Sequence, residues 1–191
     1  MAWTGYEVAT LVVTALTPVT VAGLGLFVAR TGRRLERVQW ANQTVISRRL
    51  EIFGQVATKL NQLLCFATFV GSWKEIEPRQ AVGLKREIDE VMYANRVLFS
   101  DELFGAYREF MAALFAMYAT TGADALLRAP IDSQWGDRRA MPWWEPPMEG
   151  LFSADQVSTM DDIQAAYERL SQRFRTDLYI IHEDTLLASQ S

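Results

Sequence analysis

VATLVVTALTPVTVAGLGLFVA, residues 8–29, holds no charged side chain. As a helix, 22 such residues reach roughly 33 Å, close to the hydrocarbon thickness of a bilayer at about 30 Å. A buried helix of a soluble domain is seldom so long without a charge. A cleaved signal peptide carries its positive residues before a shorter apolar run. Here Glu7 precedes the run and Arg30, Arg33, Arg34 and Arg37 follow it. The sequence therefore predicts a transmembrane helix over 8–29. The arginine side lies in the cytoplasm, and a short N-terminus of residues 1–7 lies outside. Trp3 fits the outer interface, with Tyr6 beside it. Arg30, Arg33, Arg34 and Arg37 fit anionic head groups of the lipid bilayer on the inner side.

The span has a patterned face. Thr10, Thr14 and Thr17 recur at helical spacing, and Val21, Leu24 and Val28 continue the stripe inward. Ala15, Ala22, Gly23 and Gly25 are small enough for close helix contact, and Pro18 sits at mid-span where a kink is tolerated. Two readings stay open. In one, the threonines bond their own backbone and the small residues only pack. In the other, Thr10, Thr14, Thr17, Val21, Leu24 and Val28 line a pore in a self-associating helix, with a hydrophobic constriction toward the inside.

Charge divides along the chain. Residues 1–50 carry six Arg against Glu7 and Glu36, whereas the remainder has 13 bases and 21 acids, for a whole-chain charge of −4. A domain of that sign is a poor general binder of nucleic acid, since duplex affinity rests on clustered Lys and Arg. The single cysteine, Cys65, excludes an intrachain disulfide and suits a reducing compartment.

Beyond the span the periodicity is helical. Residues 30–49 read as a basic juxtamembrane stalk and 50–188 as a cytoplasmic helical domain. The first helix continues to about Val70 with Leu50, Phe53, Ala57, Leu60 and Leu64 on one stripe, leaving Arg48, Arg49 and Glu51 outside it. Gly71 to Glu77 is a turn. Pro78 opens a second helix that runs to about Leu98, with Leu84, Ile88, Val91 and Leu98 inward. Ser100 caps a third, running to about Ala119, with Leu103, Tyr107, Phe110, Leu114 and Tyr118 on one side. A short helix follows Gly122 to Arg128. Residues 130–150 hold four prolines and Trp135, Trp143 and Trp144, and form a loop. Ser153/Gln156 and Ser158/Asp161 have capping-box spacing. The last helix runs from about Met160 to Leu187 on the stripe Ile163, Tyr167, Leu170, Phe174, Leu178 and Ile181. The fold class is all-α: one N-terminal transmembrane helix, then a cytoplasmic three- or four-helix bundle with a Trp/Pro-rich loop.

No pattern carries catalytic chemistry, and the chain does not read as an enzyme. His182 is the only histidine, placed near a helix end where it complements the dipole. Cys65 lies in an apolar stretch and reads as a small hydrophobe. There is no zinc spacing, no phosphate loop and no Gly-x-Ser-x-Gly, and the adjacent acids Asp161-Asp162 and Glu183-Asp184 point to different helix faces. No metal and no cofactor is expected. The ligand-binding candidates are Trp135, Arg138, Arg139, Trp143 and Trp144, a mixture that grips an anionic planar group by stacking and charge. The competing reading is a loop packed on its own bundle or on a second subunit, where Trp and Arg are also favoured.

Gln39-Trp40-Ala41-Asn42-Gln43, Arg49-Leu50-Glu51-Ile52-Phe53, Leu60-Asn61-Gln62-Leu63-Leu64-Cys65-Phe66 and Val70-Gly71-Ser72-Trp73-Lys74-Glu75, with Leu84-Lys85-Arg86-Glu87 and Leu98-Phe99-Ser100, carry a resemblance. Over roughly 35–120 the chain resembles small bacterial single-pass membrane proteins, among them membrane effectors of anti-phage defence such as the channel partner of the Hailong type. The resemblance implies a homo-oligomeric ion channel held shut by single-stranded DNA, an oligonucleotide ligand made by a companion nucleotidyltransferase. Its motifs are structural, and no ligand residue carries over. Residues and resemblance together give two expectations. One is a homo-oligomeric, ligand-gated membrane effector, with a tetramer among the ring sizes that closed symmetry allows. The other is a membrane-anchored helical adaptor that recruits a cytoplasmic protein.

Overall fold

Pro78 begins a helix because its fixed φ suits the first turn and its missing N–H is no loss there. Glu77 and Gln80 close a reciprocal cap around it. Among the described residues four α-helices build the domain. The computed structural model describes residues 43–116 and 124–179. The chain divides at Val45 and Ile46 into two units, and the architecture below is that of the second. Helix α1 is described over residues 43–68, α2 over Pro78–Ala94, α3 over Asp101–Leu114 and α4 over Met160–Tyr179. Short 3-10 turns link them at Gly71–Glu75 and Arg96–Leu98. The expected transmembrane helix, its pore face (Thr10, Thr14, Thr17, Val21, Leu24, Val28) and the membrane-surface residues Trp3, Arg30, Arg33, Arg34 and Arg37 lie outside the described residues. Among the described residues no helix is long and apolar enough to cross a membrane.

The described chain is mostly helical, as expected for an all-α class. Between α3 and α4 it differs from the expected pattern. The third helix stops at Leu114, and Phe115–Ala116 (β1) pairs antiparallel with Leu126–Leu127 (β2) in the register Phe115↔Leu127. The short helix expected up to Arg128 is therefore replaced there by a strand. Phe115 and Leu127 are both buried, so an extended backbone seats two large side chains that a helix would have turned apart. A second small hairpin joins Asp132–Ser133 (β3) to Gly136–Asp137 (β4). Two more 3-10 turns, Arg138–Ala140 and Pro146–Leu151, complete the loop.

The core collects Ile52, Val56, Leu63 and Phe66 of α1, Ile88 and Met92 of α2, Leu103, Tyr107, Phe110 and Leu114 of α3, and Ile163, Leu170 and Phe174 of α4. The deepest face of α1 is not the one its strongest periodicity suggested. Leu60 is buried, but Leu50 is 51% exposed, and Phe53, Ala57 and Leu64 are half-buried. Apolar residues make up half of this helix, and the Ile52–Val56–Leu63 side is the one that joins the buried core.

Two helix starts show how local chemistry decides boundaries. Ser100 Oγ accepts from Leu103 N at 3.1 Å, capping α3. At α4 the cap is Thr159, one residue after the expected Ser158. Thr159 Oγ1 accepts from Asp162 N at 3.1 Å, while Ser158 is buried and its N–H donates to Arg128 O. Ser153 Oγ does accept from Gln156 N at 3.2 Å, but the chain there makes a turn and no helix.

Candidate functional site

The Trp- and Arg-rich loop is organised around one buried cation. Arg138 has no exposed surface. Its guanidinium carbon lies 4.1 Å from the centroid of Phe66, 4.0 Å from Phe69 and 5.7 Å from Trp73. Nη2 donates to the carbonyl oxygen of Phe66, while Nε and Nη1 are buried without a hydrogen-bond partner. No carboxylate pairs with it among the described residues. Burial pulls its pKa down from the ordinary guanidinium range to about 9, which still leaves it cationic at neutral pH. The compensation comes from aromatic faces and from the carbonyl-rich, negative end of α1.

The end of α1 is shaped for this. Val70 N donates to Cys65 O at 3.2 Å, closing the helix through a left-handed residue, here Phe69 at φ 58°. Glycine usually occupies that place, and a bulky side chain there costs on the order of 1–3 kcal/mol. The Phe69 ring is needed as a wall of the cage, and it also meets Trp73 edge-on at 4.9 Å. Gly136 answers from the loop, since a Cβ at this position would come within 2.6 Å of the Trp73 ring. Only glycine lets the β3–β4 hairpin lie so close.

The five ligand-binding candidates are thus given separate tasks. Arg138 is inside the domain. Arg139 is on the surface, where Nη2 meets Glu149 at 2.8 Å and Nη1 lies 3.8 Å from Asp132 and 3.9 Å from Asp137. The hydrogen bond to Glu149, with those neighbouring carboxylates, holds the Arg139 guanidinium above its ordinary pKa. Trp143 Nε1 donates to Lys74 O at 2.6 Å. Trp144 stacks at a tilt on Phe152 at 6.1 Å and packs on the core. Trp135, at the hairpin tip, is 65% exposed. Of the five, Trp135 and Arg139 face solvent, and Arg139 already serves three carboxylates.

Three further features carry no sequence signature. Lys85 Nζ, almost buried, lies 2.5 Å from Asp89 Oδ2, and Tyr107 donates its hydroxyl hydrogen to Asp89 Oδ1. Burial first, then this bond, raises the Tyr107 pKa far above the usual phenol range. The triad ties α2 to α3. At the opposite end of the bundle, Asp177 is buried and accepts from Ser100 N at 2.8 Å and from Ser100 Oγ at 2.7 Å. Beside it Arg49 donates to Leu98 O at 2.5 Å and to Asp177 O at 2.7 Å, clamping the start of α1 to the α2–α3 turn and to α4. The third feature is a groove of about 390 Å³ between α1 and α4, walled by Leu50, Phe53, Leu170, Phe174 and Leu178, with Arg175 on its lining.

Cys65 is a half-buried free thiol, and His182 and the Glu183-Asp184 pair lie outside the described residues. Asp162 accepts from the Thr159 hydroxyl at 2.6 Å. Among the described residues no three His, Cys, Asp or Glu side chains stand where they could hold a metal ion. Comparison with protein-family models, with curated proteins and with solved structures gives no match for this chain.

Proposed function

We propose that the chain is a homo-oligomeric membrane effector of the bacterial inner membrane whose helical domain gates a channel made by residues 8–29. The observation that carries the reading is the Arg49 clamp. Helix α1 is the covalent route from the domain to residues 8–29, and its start is bonded to two other elements of the domain. A tether needs no such rigidity, whereas a gate does, because displacement of the domain must reach the span through α1. The resemblance to anti-phage membrane effectors supports the same reading. For a nucleotide or single-stranded DNA ligand, Trp135 and Arg139 are the loop residues in reach. The carboxylates around Arg139 favour a ligand that brings few negative charges to that spot.

The α1–α4 groove favours the adaptor as a second reading, since an apolar groove between helices is a common seat for a partner helix. The two readings part on one experiment. Residues 8–29 are replaced by an unrelated apolar span, and Val21→Asp is made separately. Membrane potential and growth are followed in bacteria under phage challenge. A channel loses activity with the replaced span and conducts differently with Val21→Asp. Full activity with the replaced span refutes the channel and leaves the adaptor.

A further inference from the structure

Trp135 is an apolar side chain held out on a rigid arm. Two residues just after it fix the arm: Gly136 lies against the Trp73 ring, and Arg138 is locked into the cage at the end of α1. The tip is acidic, with Asp132, Asp137 and Glu149 set against the single exposed guanidinium of Arg139. The groove between α1 and α4 has the converse character. Its walls are apolar, its lining includes Arg175 and no carboxylate, and Arg175 makes no ion pair among the described residues. At about 390 Å³ it is at the small end for a ligand site, a size suited to one large aromatic group.

The two features do not meet within one chain, because Trp135 is exposed and is not among the residues that line the groove. On α1 the lining runs from Leu50 to Leu60, so its near end is nine residues, roughly 14 Å along the helix, from Phe69 of the cage. We infer that Trp135 of one copy seats in the α1–α4 groove of the next, with the acidic tip beside Arg175. The contact is head-to-tail: two different patches meet, so it propagates around a ring when the rotation closes. A rigid Trp entering an apolar slot with a charged rim has the anatomy of an interface hot spot. The inference rests on the homo-oligomeric reading and names the surface that builds it.

The test uses the full chain in native membranes. Gln134→Cys and Ser171→Cys are introduced together in a Cys65→Ser background, Gln134 being next to Trp135 and Ser171 in the groove lining. Mild oxidation should give a ladder of covalent dimers and higher species, and neither single cysteine should. A disulfide within one chain gives no ladder, so the ladder reads contact between copies. Adding Trp135→Ala should reduce the ladder on the order of thirtyfold, the loss expected of a hot-spot Trp. Because Trp135 is mostly exposed, the helical circular dichroism should not change. Arg175→Glu should also weaken the ladder, and Asp132→Arg in the same chain should restore it. No ladder from a chain whose detergent-solubilised mass is oligomeric overturns this contact and leaves the homo-oligomer standing. A monomeric mass overturns both. A ladder from Gln134→Cys alone means a two-fold contact and overturns the head-to-tail geometry. A monomer whose Ser171→Cys thiol is shielded from maleimide means that the groove is filled from the same chain, and the inference falls.

Discussion

Replacing Arg138 by Met and by Ala separates the charge of this side chain from its volume. A fall in pKa to about 9 corresponds to roughly 5 kcal/mol against the charged form. That penalty is what remains with the ring faces and the bond to Phe66 O in place, so the charge itself does not stabilise the fold and the filled cage is what holds the loop. Met keeps an unbranched stem and places a polarisable sulfur among the same rings, and should leave stability at or above that of wild type. Ala empties a site walled by three aromatic rings and should cost about 3 kcal/mol or more, a fall in Tm of about 6–12 °C for a domain of this size. The assay is thermal unfolding of the detergent-solubilised chain, read by circular dichroism and tryptophan emission. If Met proves as damaging as Ala, the charge itself holds the loop and the accounting fails.

The same pair of proteins gives a pH test with a fixed sign. In the unfolded chain the guanidinium keeps its ordinary, much higher pKa, and in the folded chain burial pulls it down to about 9. Between the two the unfolded state binds a proton that the folded state has released, so wild-type stability rises with pH in that window. Below it the handicap of the buried charge is fully present and constant. The gap between Arg138→Met and wild type should therefore be flat from about pH 7 to pH 8. It should then move in favour of wild type by about 1.4 kcal/mol per pH unit above about pH 9. A gap that stays constant to about pH 10.5 refutes the depressed value, because Met cannot titrate and all other groups are shared.

Gly136→Ala should destabilise by about 1–3 kcal/mol, since the new methyl meets the Trp73 ring at 2.6 Å, and should shift tryptophan emission to the red; unchanged emission and Tm would show that the hairpin has room. Tyr107→Phe should cost about 1 kcal/mol through the lost bond to Asp89, and because Tyr107 resists ionisation, phenolate titration to about pH 11 should match wild type. A titration short by one phenolate in the variant contradicts the raised value. Asp177→Ala should cost about 2–3 kcal/mol by stranding the Ser100 N–H and hydroxyl, and should speed amide exchange in the first turn of α3. Exchange faster only in α4 would assign Asp177 a different task.

The helices were legible because their signals are local. Pro78 and Ser100 announce their starts by chemistry confined to one turn, and the stripe Leu103, Tyr107, Phe110 and Leu114 is buried as its spacing predicts. Reading failed where two local signals compete. Ser158 and Thr159 both offer a cap, and pairing of the Ser158 N–H with Arg128 O decides between them. Helix α1 has two apolar stripes, and sequence alone cannot say which one α2 and α3 will cover. The loop shows a subtler limit. Its Arg and Trp residues were visible as an unusual group, but the cage that receives Arg138 comes from Phe66, Phe69 and Trp73, some seventy positions earlier. Nothing in their spacing marks them. Phe69 gives the one retrospective sign, a bulky residue where a helix ending of this kind usually has glycine.

Helix α1 is gripped at both ends by arginines that bond to carbonyl oxygens rather than to carboxylates. Arg49 does so near its start and Arg138 donates to the carbonyl of Phe66 near its end. Such bonds are directional, and Arg138 is shielded from salt by its burial, so the hold should weaken little as ionic strength rises. The exposed pairs, such as Arg48 with Glu51 and Arg169 with Glu109, are open to screening and contribute little each. It follows that α1 turns with the domain and does not bend within it. On the channel proposal, displacement of the domain would be passed toward residues 8–29 through α1. On that proposal, a proline or a pair of glycines inserted between Arg37 and Gln43 should abolish the effector activity while Tm is unchanged, and retained activity would refute transmission through α1.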